Sequence, residues 1–302
     1  MRNSVDAAGL SWSRTVPREL VHRSSVAEVL LTDVRPGRGG GFRAAAAWPR
    51  SHPTFPADGT DLHSPLLVVE TLRQLGIYLP LRWLGVPPTA RMLIDDLHFA
   101  LRPDREPRAG LGCTEVACAV EVRDARRRPD GSLAGVRLDV AFLAGGGPFA
   151  RAGGGARFLP RERYEAVRGA RLGARQPGPR PEVRPEPGLL GVGRHSDVVV
   201  AHRDGALTVD PADPGHPFYF DHASDHVPGM LLLEAARQGA AAASGGALRR
   251  PVSGRMAAAR FTEYDPPALV ETVAYHRTCA FRIRQGGSAT AYGAFGYPRH
   301  EM

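Results

Sequence analysis

Apolar and polar positions along this chain follow two rhythms, one with period two and one helical, and they alternate in the same order twice. Val26 to Val34 is a run of β-branched residues and leucine that stops at Pro36-Gly37, and Phe42 to Trp48 resumes after a Gly-rich loop, which predicts a hairpin with a long loop. A long apolar helical stretch follows. Beyond it Val116, Cys118, Val120 and Val122 alternate with Glu115, Glu121 and Arg123. After a turn at Pro129-Asp130-Gly131, Val136, Leu138, Val140 and Phe142 oppose Arg137 and Asp139, giving antiparallel strands with one buried face. The second half repeats the sequence of elements. Asp197 to Ala201 and Ala206 to Val209 flank an Asp204-Gly205 turn, an apolar helix follows, and Cys279, Phe281 and Ile283 then alternate with Arg282 and Arg284 before Gly286-Gly287 turns the chain into Ala289 to Tyr297.

The duplication is visible residue by residue. His52 to Gln74 (HPTFPADGTDLHSPLLVVETLRQ) and His216 to Gln238 (HPFYFDHASDHVPGMLLLEAARQ) superimpose without gaps at a constant offset of 164 and agree at seven of 23 positions. Glu70, Arg73 and Gln74 match Glu234, Arg237 and Gln238. Further on, Leu97-His98-Phe99 corresponds to Ala259-Arg260-Phe261, each expected to open the later strands. A tandem repeat of one unit is the consequence, an α+β chain in which each antiparallel sheet curls around a central helix. The expected boundaries are residues 1–170 for the first unit, a linker over 171–188 carrying five prolines, and 189–302 for the second. The glycine triplets 145–147 and 153–155 do not sit between a strand and a helix in a nucleotide-binding pattern and are expected to be loops.

Composition narrows the function classes. A chain of 302 residues is long enough for two cores, and its formal charge of +8 favours acidic or phosphorylated partners. All 39 basic residues are arginine, however, so Schiff-base chemistry is excluded and the basic balance reflects codon composition as much as binding. No recognised DNA-binding motif accompanies the arginines, and Arg126-Arg127-Arg128 reads most simply as a solvated hairpin tip. Cys113, Cys118 and Cys279 fit neither a disulfide framework nor a zinc site and are expected to be core thiols. No signal peptide or apolar membrane span is legible, so a cytoplasmic protein is expected, with neither a membrane nor nucleic acid as partner.

The stretch Pro228-Gly229-Met230-Leu231-Leu232-Leu233-Glu234, with Gln238 four residues on, resembles the helix of hotdog-fold dehydratases and thioesterases acting on acyl carrier protein or coenzyme A thioesters. Taken with HSPLLVVETLRQ in the first half, Val21-His22-Arg23 and Val192-Gly193-Arg194, it more narrowly resembles the A-factor biosynthesis (AfsA-like) family, over roughly residues 20 to 297. That resemblance implies a tandem hotdog fold. It implies an acyltransferase joining a β-ketoacyl group from acyl carrier protein to dihydroxyacetone phosphate, as in γ-butyrolactone signal biosynthesis, with no cofactor beyond the phosphopantetheine that carries the substrate. Phe220 stands where the dehydratase pattern has its catalytic histidine, which disfavours simple dehydration. A dehydratase or thioesterase, and a non-catalytic acyl-thioester binding module, remain the alternatives.

Acyl transfer to a hydroxyl needs a base, oxyanion donors and a grip on the acceptor. Glu234 and Arg237 are the candidate catalytic residues: apolar neighbours are expected to raise the Glu234 pKa, and Arg237 at i+3 is expected to hold the acceptor phosphate. Gln238 orients the carboxylate, and Glu70, Arg73 and Gln74 form a supporting or second site. Asp225, His226, Gly229 and Met230, at the start of the helix, are the expected substrate-binding residues. No metal site is expected from Asp221, His222, Asp225 and His226. The two halves make a pseudo-dimer within one chain, and further oligomerisation is open.

Overall fold

The alternating segments form antiparallel strands around two apolar helices. The computed structural model describes residues 9–50, 60–178 and 181–298, so His52 to Gly59, the start of the first copy of the repeat, lies outside the described residues. Two units separate: residues 9–50 and 61–169 in the first, and Thr60 with the described residues from Ala170 onward in the second.

In the first unit β1 (Leu31–Pro36) and β2 (Phe42–Pro49) make the hairpin, and α1 (Leu66–Trp83) follows. Then come β3 (Arg91–Leu101), β4 (Cys113–Arg127), β5 (Leu133–Ala144), β6 (Gly147–Leu159) and a short α2 (Arg161–Arg168). Its strands are ordered β1-β2-β4-β5-β6-β3. The second unit holds a one-turn α3 (Pro187–Leu190), the hairpin β7 (Val200–Arg203) and β8 (Ala206–Val209), α4 (Gly229–Ala243), and β9 (Ser253–Ala258), β10 (Leu269–Tyr275), β11 (Thr278–Gln285) and β12 (Ser288–Gly296). Its order is β7-β8-β10-β11-β12-β9. The two orders are the same when β7 is set on β1 and α4 on α1. Each unit is thus a hotdog, an antiparallel sheet wrapped on one helix, and the duplication extends from sequence to topology.

Both central helices are apolar on nearly every side because the sheet surrounds them. Every residue from Met230 to Ala241 of α4 is buried. Leu231, Leu232 and Leu233 are each almost wholly out of water, worth roughly 1.5–3 kcal/mol apiece. Gly239 lets α4 approach its sheet, since a Cβ there would lie 2.7 Å from Val270 Cγ1 on β10.

Several expectations need correction. The first hairpin strand begins at Leu31, not Val26, because Ser25 accepts a hydrogen bond from Ala27 N and winds Val26–Glu28 into a 3-10 turn. Ala259-Arg260-Phe261 lies just beyond β9 rather than opening it. The triplet 153–155 is not a loop but the middle of β6. Glycine is needed there for close approach: a Cβ on Gly153 would lie 2.7 Å from the backbone oxygen of Leu138 on β5, and one on Gly154 would run into the Asp96 carbonyl on β3. Cys118 and Cys279 are buried thiols as expected, but Cys113 is exposed. Part of the proline-rich stretch 171–188 is bound to the second unit. Val183 O accepts from His202 N on the edge strand β7, and Arg184 pairs with Asp210 at 2.8 Å with both side chains nearly buried. An extended proline-rich backbone leaves its carbonyls unpaired, and the edge strand supplies the donor.

Candidate active site

The repeated Glu-Arg-Gln triplet comes together in both copies, because residues three and four apart share one face of a helix. In α1, Arg73 donates from Nε to Glu70 Oε2 at 2.8 Å and from Nη2 to Oε1 at 2.9 Å. Gln74 Nε2 donates to Glu70 Oε1 at 2.7 Å and to Glu28 O at 2.8 Å. Its Oε1 accepts from Leu30 N and Leu31 N, so the glutamine pins the helix to the start of β1. Arg23 adds a second cation, Nη2 to Glu70 Oε1 at 2.9 Å.

The same construction recurs in α4. Arg237 Nε donates to Glu234 Oε2 at 2.8 Å, Arg237 Nη2 to Oε1, and Gln238 Nε2 to Oε1 at 2.8 Å. Gln238 Nε2 also reaches Asp197 O at 2.8 Å while its Oε1 accepts from Val199 N at 2.9 Å, tying α4 to the approach to β7.

The copies differ in charge. Glu70 faces two arginines; Glu234 has one cationic partner, Arg237, among the described residues. Burial pushes the Glu70 carboxyl up, but the charges of Arg23 and Arg73, with hydrogen bonds from Arg73 and Gln74, outweigh it and bring the pKa down from 4.5 to about 2. A guanidinium thus lies against each of the two carboxylates, Arg73 on Glu70 and Arg237 on Glu234. Burial acts to lower the Arg237 pKa, yet the charge and hydrogen bonds of Glu234 dominate and hold it above the ordinary arginine value.

The expectation that fails is Arg237 as a phosphate grip. Its Nη1 donates to Leu190 O at 2.8 Å and Arg249 O at 2.7 Å, so with the two bonds to Glu234 four of its five N–H groups are in use. Glu234 is 2 % exposed. Its Oε2 carries a single hydrogen bond and retains a lone pair.

The helix start lies where it was expected. Pro228 is the N-cap residue, α4 begins at Gly229, and no side chain caps its first turn. Met230 is buried. Just upstream, Asp225 Oδ1 and His226 Nδ1 are 2.8 Å apart, and the partly exposed His226 ring stands edge-on to Phe261 at 4.8 Å. A small cleft of about 30 Å³ opens beside this turn, lined by Val227, Leu231, Tyr264, Asp210 and several prolines. Among the described residues no three His, Cys, Asp or Glu side chains converge as a metal site would need.

Sequence reasoning overlooked Arg23, Asp197, His216 and Tyr219. His216 Nδ1 accepts from Phe218 N, so its Nε2 carries the proton shared with Asp197 Oδ1 at 3.2 Å. Tyr219 packs on His216 at 4.7 Å, and burial, then the charge of Glu234, pushes its hydroxyl pKa well up. The matching tripeptides at Arg23 and Arg194 were the only hint, and they diverge here: Arg23 is buried on Glu70, whereas Arg194 is exposed.

Residues 7–160 and 193–292 match the family model described as the A-factor biosynthesis hotdog domain. The chain belongs to the AfsA hotdog family. An AfsA relative from Streptomyces virginiae, named 2-oxo-3-(phosphooxy)propyl 3-oxoalkanoate synthase, is 38% identical over 262 residues, covering 85% of this chain and 86% of the relative. One of the same name from Streptomyces griseus is 34% identical, covering 84% of each chain. Among solved structures, an acyl-ACP thioesterase from Bacteroides thetaiotaomicron aligns with a TM-score of 0.53 at 11% identity, over 85% of this chain and 98% of its own. The 12:0-ACP thioesterase from Umbellularia californica aligns at 0.50 and 14%, over 85% and 97%. At these identities the likeness establishes the AfsA chain's hotdog fold alone. Among the described residues no helix is long and apolar enough to cross a membrane.

Proposed function

We propose that this chain is an acyltransferase that moves a β-ketoacyl group from the thioester of acyl carrier protein to a hydroxyl of dihydroxyacetone phosphate. The observation that carries this reading is the 38% identity, over 85% of the chain, to a relative named 2-oxo-3-(phosphooxy)propyl 3-oxoalkanoate synthase, the product such a transfer makes. The geometry of the second copy supplies groups suited to it.

In this reading Glu234 takes the proton of the acceptor hydroxyl through Oε2, the oxygen atom with a lone pair in hand. The hydroxyl oxygen attacks the thioester carbonyl. The uncapped N–H groups at the start of α4 stabilise the oxyanion. Collapse breaks the C–S bond, an ester leaves, and the carrier thiolate recovers the proton from Glu234. Arg237 fixes the carboxylate in place, and Gln238 holds the helix in register with β7. His226, braced by Asp225, is the acceptor-binding group beside the cleft. The first copy, whose Glu70 is held by two arginines, supports the fold.

The reaction is tested by incubating the protein with β-ketoacyl carrier protein and dihydroxyacetone phosphate and detecting the phosphorylated ester by mass spectrometry. Free acid formed at the same rate without acceptor would identify a thioesterase. Acyl binding without turnover would identify a binding module.

A further inference from the structure

The outer faces of the two sheets differ in how their charges are used. On the first unit four arginines are neutralised within the face, and Arg151 is the exposed one with no acidic partner among the described residues. Arg123 pairs with Asp139 at 2.7 Å and with Glu121 at 2.6 Å, Arg137 with Asp96 at 2.8 Å, and Arg126 and Arg157 both with Asp95. The tip arginines are also satisfied internally: Arg127 donates to Gly131 O, and Arg128 to Ser132 Oγ, Leu133 O and Phe158 O.

The second unit's outer face is built otherwise. Register places Glu271, Arg282, Tyr292 and Ala257 in one row across β10, β11, β12 and β9. Val273, Ala280, Ala294 and Arg255 form the next row, and Tyr275 and Thr278 the one after it. Opposite residues in a row stand roughly 4.5–5.5 Å apart at Cβ, so these side chains make one continuous patch. Tyr275 is 73% exposed, Val273 69% and Tyr292 50%. Arg284 pairs with Glu271 at 3.0 Å, but Arg255 and Arg282 are exposed and have no acidic partner among the described residues.

We infer that this β9–β12 face docks an acidic protein partner, and that the partner is the acyl carrier protein; this rests on the transfer reaction proposed above. Tyrosine and arginine are the residue types that anchor protein interfaces, because each offers a large, partly apolar contact with a polar end. Arg255 and Arg282 flank the exposed aromatic and aliphatic contacts, an arrangement that fits a helix bearing carboxylates around a few apolar side chains. A second copy of this chain seated on the same face would bring like charges together.

The test is direct titration of the protein with unacylated holo acyl carrier protein, which requires no turnover. Binding is expected to weaken at least tenfold in the Arg255→Glu/Arg282→Glu double variant, to weaken in Tyr292→Ala, and to fall with added salt in the parent. Transfer from a carrier-free β-ketoacyl pantetheine thioester is expected to be unchanged in these variants, whose thermal midpoints report that they fold. Carrier binding unchanged by the charge reversals, or no carrier binding at all, would overturn the inference, as would a parent dimer that the double variant dissociates. Intact carrier binding without transfer from either donor would instead refute the reaction.

Discussion

Replacing Glu70 by alanine leaves the buried Arg23 and the half-buried Arg73 without their shared counter-ion. The lowering of the Glu70 pKa from 4.5 to about 2 corresponds to about 3 kcal/mol of folding free energy at neutral pH. Breaking a buried ion pair by removing one partner typically costs about 3–5 kcal/mol, in agreement. Urea denaturation followed by tryptophan fluorescence is the assay. All three tryptophans, Trp12, Trp48 and Trp83, lie in the first unit, and Trp48 is fully buried with Nε1 donating to Thr71 Oγ1 at 3.0 Å one residue from Glu70. With a slope of about 2 kcal/mol per molar urea, the midpoint should fall by about 1.5 M. Glu70→Gln, which keeps the shape but not the charge, should recover only part of that. A midpoint shift under about 0.3 M in Glu70→Ala would refute the claim that this carboxylate holds the first helix in place.

Two further outcomes follow from the same structure. Because the Glu70 pKa is lower folded than unfolded, its contribution is complete above about pH 4.5 and is lost as the pH falls towards 2; the urea midpoint of the parent should drop across that window more steeply than that of Glu70→Gln. Gly239→Val puts side-chain atoms where a Cβ alone would already lie 2.7 Å from Val270 Cγ1, and should destabilise the second unit by about 1–3 kcal/mol in calorimetry.

The period-two and helical patterns were enough to read the hairpin, helix and strand order of both copies, since one buried face per strand leaves a local trace. The Glu-Arg-Gln triplets were legible for the same reason: their spacing of three and four is local. What closes the triplets is not local. Arg23 reaches Glu70 from 47 residues away, and the carbonyls of Leu190 and Arg249 that occupy Arg237 carry no sequence signature. The glycines of β6 were misread because composition alone does not separate a turn from a close approach between neighbouring strands. The divergence between Arg23 and Arg194 is likewise a matter of packing: two similar tripeptides lead to one buried and one exposed guanidinium.

The asymmetry between Glu70 and Glu234 is the centre of the account, and one comparison tests it directly: formation of the phosphorylated ester by the parent, Glu70→Gln and Glu234→Gln proteins at equal folded concentration. Glu234→Gln should lose transfer by about 10²- to 10⁴-fold, the usual contribution of a general base, while Glu70→Gln should keep activity in proportion to the protein that remains folded. Equal activity in the two variants, or full activity in Glu234→Gln, would contradict the assignment of the chemistry to the second copy.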